Sequence, residues 1–163
     1  MLTGLFFSEL GNSLLRQFTQ LDTKLDILHQ ILNVTNEWKN KDFYRVKKNS
    51  EEHIFVIDSR RGDLLNLRKY LQNRAYFILR FLENTFLQEH ANFTDLLRAI
   101  FHLRDELLNR VNLSEMPDPD RRHLEGDIIR IYKLLVLEWI SYMHYLKDNY
   151  SYLFALALAC QSL

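Results

Sequence analysis

The sequence predicts a mainly α protein, a bundle of four long helices plus a short C-terminal helix, with one small β-hairpin inserted between helices one and two. Three observations carry that prediction. Large apolar residues recur every three or four positions through most of the chain, which is the period of one helical face. Only four Gly and two Pro occur among 163 residues, so few positions demand turns. Residues 42–58 alone break the pattern, with short aromatic and β-branched runs that favour strands.

Helix one is expected from about Ser8 to Leu32. Its seam of Leu14, Phe18, Leu21, Leu25, Leu28 and Leu32 alternates spacings of four and three, a heptad stripe that is buried only against another helix. The leading expectation is therefore self-association, a homodimer formed through this seam. Gly11 should weaken the first turns. The hairpin follows, Phe43-Tyr44-Arg45-Val46 and Ile54-Phe55-Val56-Ile57 flanking the polar Asn49-Ser50-Glu51-Glu52.

Asp63 is a natural N-cap for helix two, Leu64 to about Gln88. Apolar residues on more than one of its stripes (Leu67, Leu71, Ile78 and Tyr70, Phe77, Phe81) place it at the centre. Asn92 or Thr94 is expected to cap helix three, which runs to Leu108. The two prolines, Pro117 and Pro119, mark the next loop. Asp118-Pro119-Asp120 has the proline-first, acidic-first-turn order that opens a helix, so helix four runs from Pro119 to about Lys147. Asn149 breaks it, and Ser151 to Gln161 forms the closing helix. No repeat, linker or low-complexity tract divides residues 1–163, which gives a single domain.

Composition narrows the class of function. A hydrophobic fraction of 47% with 26% charged residues suits a folded domain and argues against disorder. Glu9 interrupts the apolar run Leu2 to Phe7, so no secretory signal is expected. The most apolar stretch, Ile128 to Leu146, contains Arg130, Lys133, Glu138 and His144 and falls short of the ~20 uninterrupted apolar residues a bilayer requires. The lone Cys160 excludes an internal disulfide framework and reads as a small core residue. A reducing, cytoplasmic location is the expectation.

Charge is uneven although the net charge is zero: residues 39–80 carry +6, residues 81–163 carry −4, and residues 1–38 carry −2. Arg45, Lys47, Lys48, Arg60, Arg61, Arg68 and Lys69, with Tyr44, His53 and Phe55 among them, are the candidate anion or nucleic-acid contacts. Lysines on an edge strand also discourage strand-to-strand aggregation, and no base-reading motif accompanies them.

Three histidines have an acid four positions later: His102 with Glu106, His123 with Asp127, and His144 with Asp148. Such a pair shares one helical face and can ligate a metal or form a local ion pair. His102 and Glu106 are the metal candidates. His123 and His144 lie about six turns apart on one helix, too far to share an ion, and local pairing is the simpler account of each pair. No nucleophile elbow, glycine-rich phosphate loop or cofactor signature is present, and Cys160 has no base nearby. Arg130, Lys133 and Glu138 should reach the surface by their stems rather than form buried ion pairs. Asn33, Asn92, Asn112 and Asn149 head Asn-x-Ser/Thr triplets, but each falls at an expected helix boundary, where capping explains them. A non-enzymatic interaction or regulatory module is the functional expectation. A nucleic-acid-binding module and a metal-binding helical-bundle enzyme are the alternatives.

Overall fold

A computed structural model of the chain describes residues 2–84, 91–160 and 163. The elements run α1 (Leu2–Phe6), a π-helical turn (Phe7–Gly11), α2 (Asn12–Leu21), α3 (Leu25–Ile31), α4 (Asn40–Glu52), a 3₁₀ turn (Ser59–Arg61), α5 (Leu64–Asn73) and α6 (Ala75–Leu82). Three more follow: α7 (Ala91–Leu108), α8 (Asp118–Asn149) and α9 (Ser151–Ala159). The mainly α expectation holds.

At its centre lies α8, 32 residues long and so about 48 Å from end to end. Its buried residues, among them Leu124, Ile128, Ile131, Leu135, Val136, Ile140 and Met143, cover more than one stripe. Neighbours pack on it from several sides: α2, α4, α7 and α9 all lie against it. Acidic Asp118 and Asp120 occupy its first turn, where the helix dipole favours negative charge.

Residues 42–58 are not a hairpin. Asn40–Glu52 is a helix whose buried Phe43, Val46 and Ser50 fall at i, i+3 and i+7, a spacing that the short aromatic run concealed. The Asp42 carboxylate accepts from the Lys39 N–H at 2.8 Å, tying down the N-terminus. Docking on α8 then holds the segment: the Phe43 ring stacks on His144 at 4.6 Å, and Lys47 donates to the Ser141 hydroxyl. Among the described residues the β content reduces to one isolated antiparallel bridge, Asp22 with Ile57.

That bridge explains why helix one is not continuous. Asp22 is extended, with ψ of 118°, and its side chain is buried. One carboxylate oxygen accepts from the Lys24 N–H at 2.7 Å and the other from the Tyr132 hydroxyl at 2.8 Å. Arg61 donates to the Asp22 carbonyl, and the flanking backbone exchanges bonds with Val56 and Asp58. A side-chain bond back to the main chain competes with helix, and here it is fixed by partners from three other segments. The seam itself is buried inside the single chain: Leu14, Phe18, Leu21, Leu28 and Leu32 are at most 3% exposed, and Leu25 is half-buried. It is therefore occupied intramolecularly and offers no surface to a second copy.

Helix two divides at Arg74, whose φ of −104° and ψ of 3° leave the α region, and its two halves lie on α7. The central position belongs to α8, and positions 85–88 of the expected helix lie outside the described residues. Helix three is already helical at Ala91, so Asn92 and Thr94 are within it rather than at its cap. The break after helix four falls at Tyr150, one residue past Asn149. Gly11 lies within the π turn, and a Cβ there would come within 2.6 Å of the Phe7 ring. Its role is close packing beneath the cluster of Phe6, Phe7 and Phe93.

Tyr132→Phe should lower stability by about 1–3 kcal/mol, because the Asp22 oxygen it serves would remain buried without its donor. Urea unfolding monitored by circular dichroism measures the loss; an unchanged midpoint would show that the bond does not hold the α2–α3 break.

Candidate metal centre

The helices α7 and α8 are joined by the short connection 109–117 and pack against each other as an antiparallel pair. Residue 106 then lies across from 123, and 102 across from 127. Each helix carries a histidine with an acid one turn later. Reversal of direction sets each histidine opposite the other helix's acid. Two locally paired couples thus become one four-membered cluster.

The distances bear this out. His102 Nε2 lies 3.8 Å from Glu106 Oε1 and 3.7 Å from Asp127 Oδ2, and His123 Nε2 lies 3.9 Å from Glu106 Oε2 and 3.5 Å from the same Asp127 oxygen. Donor atoms of His102, Glu106 and His123 all fall within 4.8 Å of one another. The imidazoles are 56% and 58% exposed, so an ion has an open route from solvent. The carboxylates sit deeper, and Asp127 Oδ2 is shielded from solvent with no hydrogen-bond donor. A shielded acceptor without a donor is costly, and a cation satisfies it.

Glu106 is held from behind. Arg110 donates to its Oε2 at 2.6 Å and to its backbone carbonyl at 2.7 Å, while Arg68 donates to the Arg110 carbonyl at 3.1 Å. The Arg110 hydrogen bond, aided by the charges of Arg110, His102 and His123 and opposed by burial, keeps the Glu106 carboxyl below the usual carboxylate range. Glu106 lies in the last turn of α7, where the dipole disfavours an anion, and Arg110 just beyond offsets that. Outer partners of this kind orient metal-ligating side chains.

The remaining sequence candidates are scattered. Arg45 pairs with Asp42, Arg60 with Asp58, Lys47 with Ser141, and Arg61 with the Asp22 carbonyl. Lys48 and Lys69 are exposed on different helices. Phe55 is buried, His53 half-buried and Tyr44 exposed, so the three aromatics do not form one stacking surface. Burial of the His53 ring, opposed by the charge of Asp22, lowers its pKa. His144 lies 3.4 Å from Asp148, far along α8 from His123. Cys160 is exposed rather than in the core, because α9 buries only Phe154 fully. Arg130 reaches the surface as expected, and Lys133 and Glu138 are half-buried. Each His/acid pair is legible along its own helix, as is the separation of His123 from His144. The signal for their convergence is the short loop, which makes α7 and α8 antiparallel neighbours.

Fold and cluster together define a helical domain with an interhelical histidine–carboxylate centre. The chain belongs to the family described as "Uncharacterized protein MJ1433, C-terminal helical domain", whose profile matches residues 1–159. It is 41% identical over 158 residues to the uncharacterized protein MJ1433 of Methanocaldococcus jannaschii, a match that takes in 97% of this chain and 63% of that protein. The chain thus spans less than two thirds of that relative's length. No solved structure matches it.

Arg110→Met should raise the Glu106 carboxyl back toward the ordinary range, since the largest influence lowering it is removed. A ¹³C NMR titration of the Glu106 side chain in the metal-free protein reads this directly; an unmoved midpoint would remove Arg110 from its orienting role.

Proposed function

We propose that this domain binds one divalent transition-metal ion between α7 and α8, with His102, Glu106 and His123 as ligands and Asp127 completing the set. The observation that carries the reading is the spacing of the donors. Ligands about 2.0–2.2 Å from a tetrahedral zinc ion lie roughly 3.3–3.6 Å from one another, and the histidine–carboxylate separations of 3.5–3.9 Å are close to that before any ion is bound. Two neutral imidazoles and two carboxylates also match the charge of a divalent cation. Imidazole favours zinc and its transition-metal neighbours over calcium and magnesium. The function so supported is metal binding rather than catalysis.

Isothermal titration with zinc, cobalt, manganese and calcium chlorides tests it. Zinc should bind one-to-one and raise the melting temperature, by about 2.7 kcal/mol of stabilisation at a hundredfold excess over Kd. Calcium should not. A His102→Ala/His123→Ala variant should lose the binding while keeping the wild-type circular dichroism. No zinc uptake, or equal uptake by the variant, refutes the assignment.

A second reading, an interaction module that pairs with another copy of itself, is supported by a different surface from the leucine seam. On α9, Tyr152 is 75% exposed, and Leu153 and Leu156 are also exposed, beside Tyr145 and Tyr150. An apolar helix with so little of itself covered is unusual for a lone domain. Sedimentation equilibrium at low micromolar concentration should show a dimer that Leu156→Asp dissociates. A strict monomer rejects the pairing.

A further inference from the structure

Resting on the metal assignment, we infer that the loaded site takes a phosphate group as an additional ligand, clamped by Arg98 and Arg130. Directly against His102 and Asp127, on the side away from Arg110, a half-open cavity of about 190 Å³ is lined by Arg98, Ala99, His102, Asp127 and Arg130. That is well above the ~10–15 Å³ of probe-occupied volume that a single water needs, and the space accommodates a five-atom tetrahedral oxyanion. Buried Ala99 keeps its floor low.

The two arginines are placed as the next layer of the same interhelical stripe. Arg98 precedes His102 by four positions on α7, and Arg130 follows Asp127 by three on α8, so each shares a face with a member of the cluster. Among the described residues neither guanidinium enters an ion pair or a hydrogen bond, in contrast to Arg45, Arg60, Arg61, Arg68 and Arg110. Both are exposed and free to turn inward.

Charge selects the ligand. Glu106 and Asp127 together match the charge of the divalent ion, while Arg98, Arg110 and Arg130 add three positive charges around it. A divalent ion then leaves the neighbourhood strongly positive. A phosphate dianion neutralises most of that excess, offering one oxygen to the metal and others to the planar guanidinium forks, which suit such oxygens well. Two arginines beside a metal ion also form the usual electrostatic setting for phosphoryl oxygens. A neutral ligand would leave the excess charge standing, and a cation is repelled.

Manganese-loaded protein provides the test, because a phosphorus nucleus near bound manganese has its ³¹P resonance broadened. Inorganic phosphate, adenosine monophosphate and adenosine are titrated separately, and manganese affinity is measured with and without each. Phosphate or the monophosphate should broaden on binding and tighten manganese at least fivefold, while adenosine should do nothing. Inorganic phosphate binding as tightly as the nucleotide indicates free phosphate; a tenfold preference for the nucleotide indicates a phosphorylated organic ligand. Either result supports the clamp.

The Arg98→Gln/Arg130→Gln variant should bind manganese at least as tightly in phosphate-free buffer, since two nearby cations are gone, yet lose the phosphate effect at least tenfold. If manganese binds and neither phosphate compound alters its affinity or its ³¹P line, the clamp is refuted and the metal site stands. If the variant keeps the full phosphate effect, the arginines are not the clamp. If no metal binds, both proposals fall.

Discussion

Everything in this domain is built outward from the long helix α8. Its apolar residues extend round more than one side of the helix, so it cannot settle against a single partner. Burying a large aliphatic or aromatic side chain contributes about 1.5–3 kcal/mol, and α8 presents Leu124, Ile128, Ile131, Tyr132, Leu135, Trp139 and Met143 among others. Of the surrounding helices, α2, α4, α7 and α9 lie directly on it, while α5 and α6 pack on α7 and α3 on α4. Because α2 and α4 both reach α8, the chain must turn between them, and it does so in short helices instead of one straight rod.

The breaks have specific chemistry. At Asp22 a buried carboxylate ties the α2–α3 corner to Tyr132 of α8, while the neighbouring main chain exchanges bonds with the stretch after α4. Phe55 and Phe18 both pack edge-on against the same tyrosine ring. One side chain of the central helix therefore organises the arrival of two separate segments, the end of α2 and the stretch after α4. Because the hydroxyl has a partner, placing a polar group this deep is tolerated.

Much of this was legible in the residues. Helical periodicity located α7, α8 and α9 to within a few positions, and the acidic opening of α8 was visible in Asp118-Pro119-Asp120. The hairpin expected at 42–58 failed because four-residue runs such as Phe43 to Val46 fit either period, and tertiary contact with α8 decided for helix. The expected helix one overruns the break because a heptad stripe continues through Asp22; the seam says which side is buried but not whether the backbone stays helical. The same stripe was legible as a packing surface, yet nothing in its spacing distinguishes an internal partner from a second copy. The histidine–carboxylate centre was half visible. Local pairs are a property of one helix, whereas their convergence is a property of how two helices are hinged, and only the nine-residue connection between Leu108 and Asp118 hinted at it.

The cluster depends on the relative direction of its two helices. Had α7 and α8 run parallel, histidine would face histidine and acid would face acid, with like charges opposed. Antiparallel packing alternates them, and the orientation of Glu106 by Arg110 and Arg68 fixes the wall against which an ion would seat. The most direct measurement of that claim is anomalous diffraction from crystals of the zinc-loaded chain, recorded on both sides of the zinc absorption edge. A single strong anomalous peak between His102, Glu106, His123 and Asp127 is the predicted result; zinc density elsewhere on the surface, or none at this junction, would contradict it.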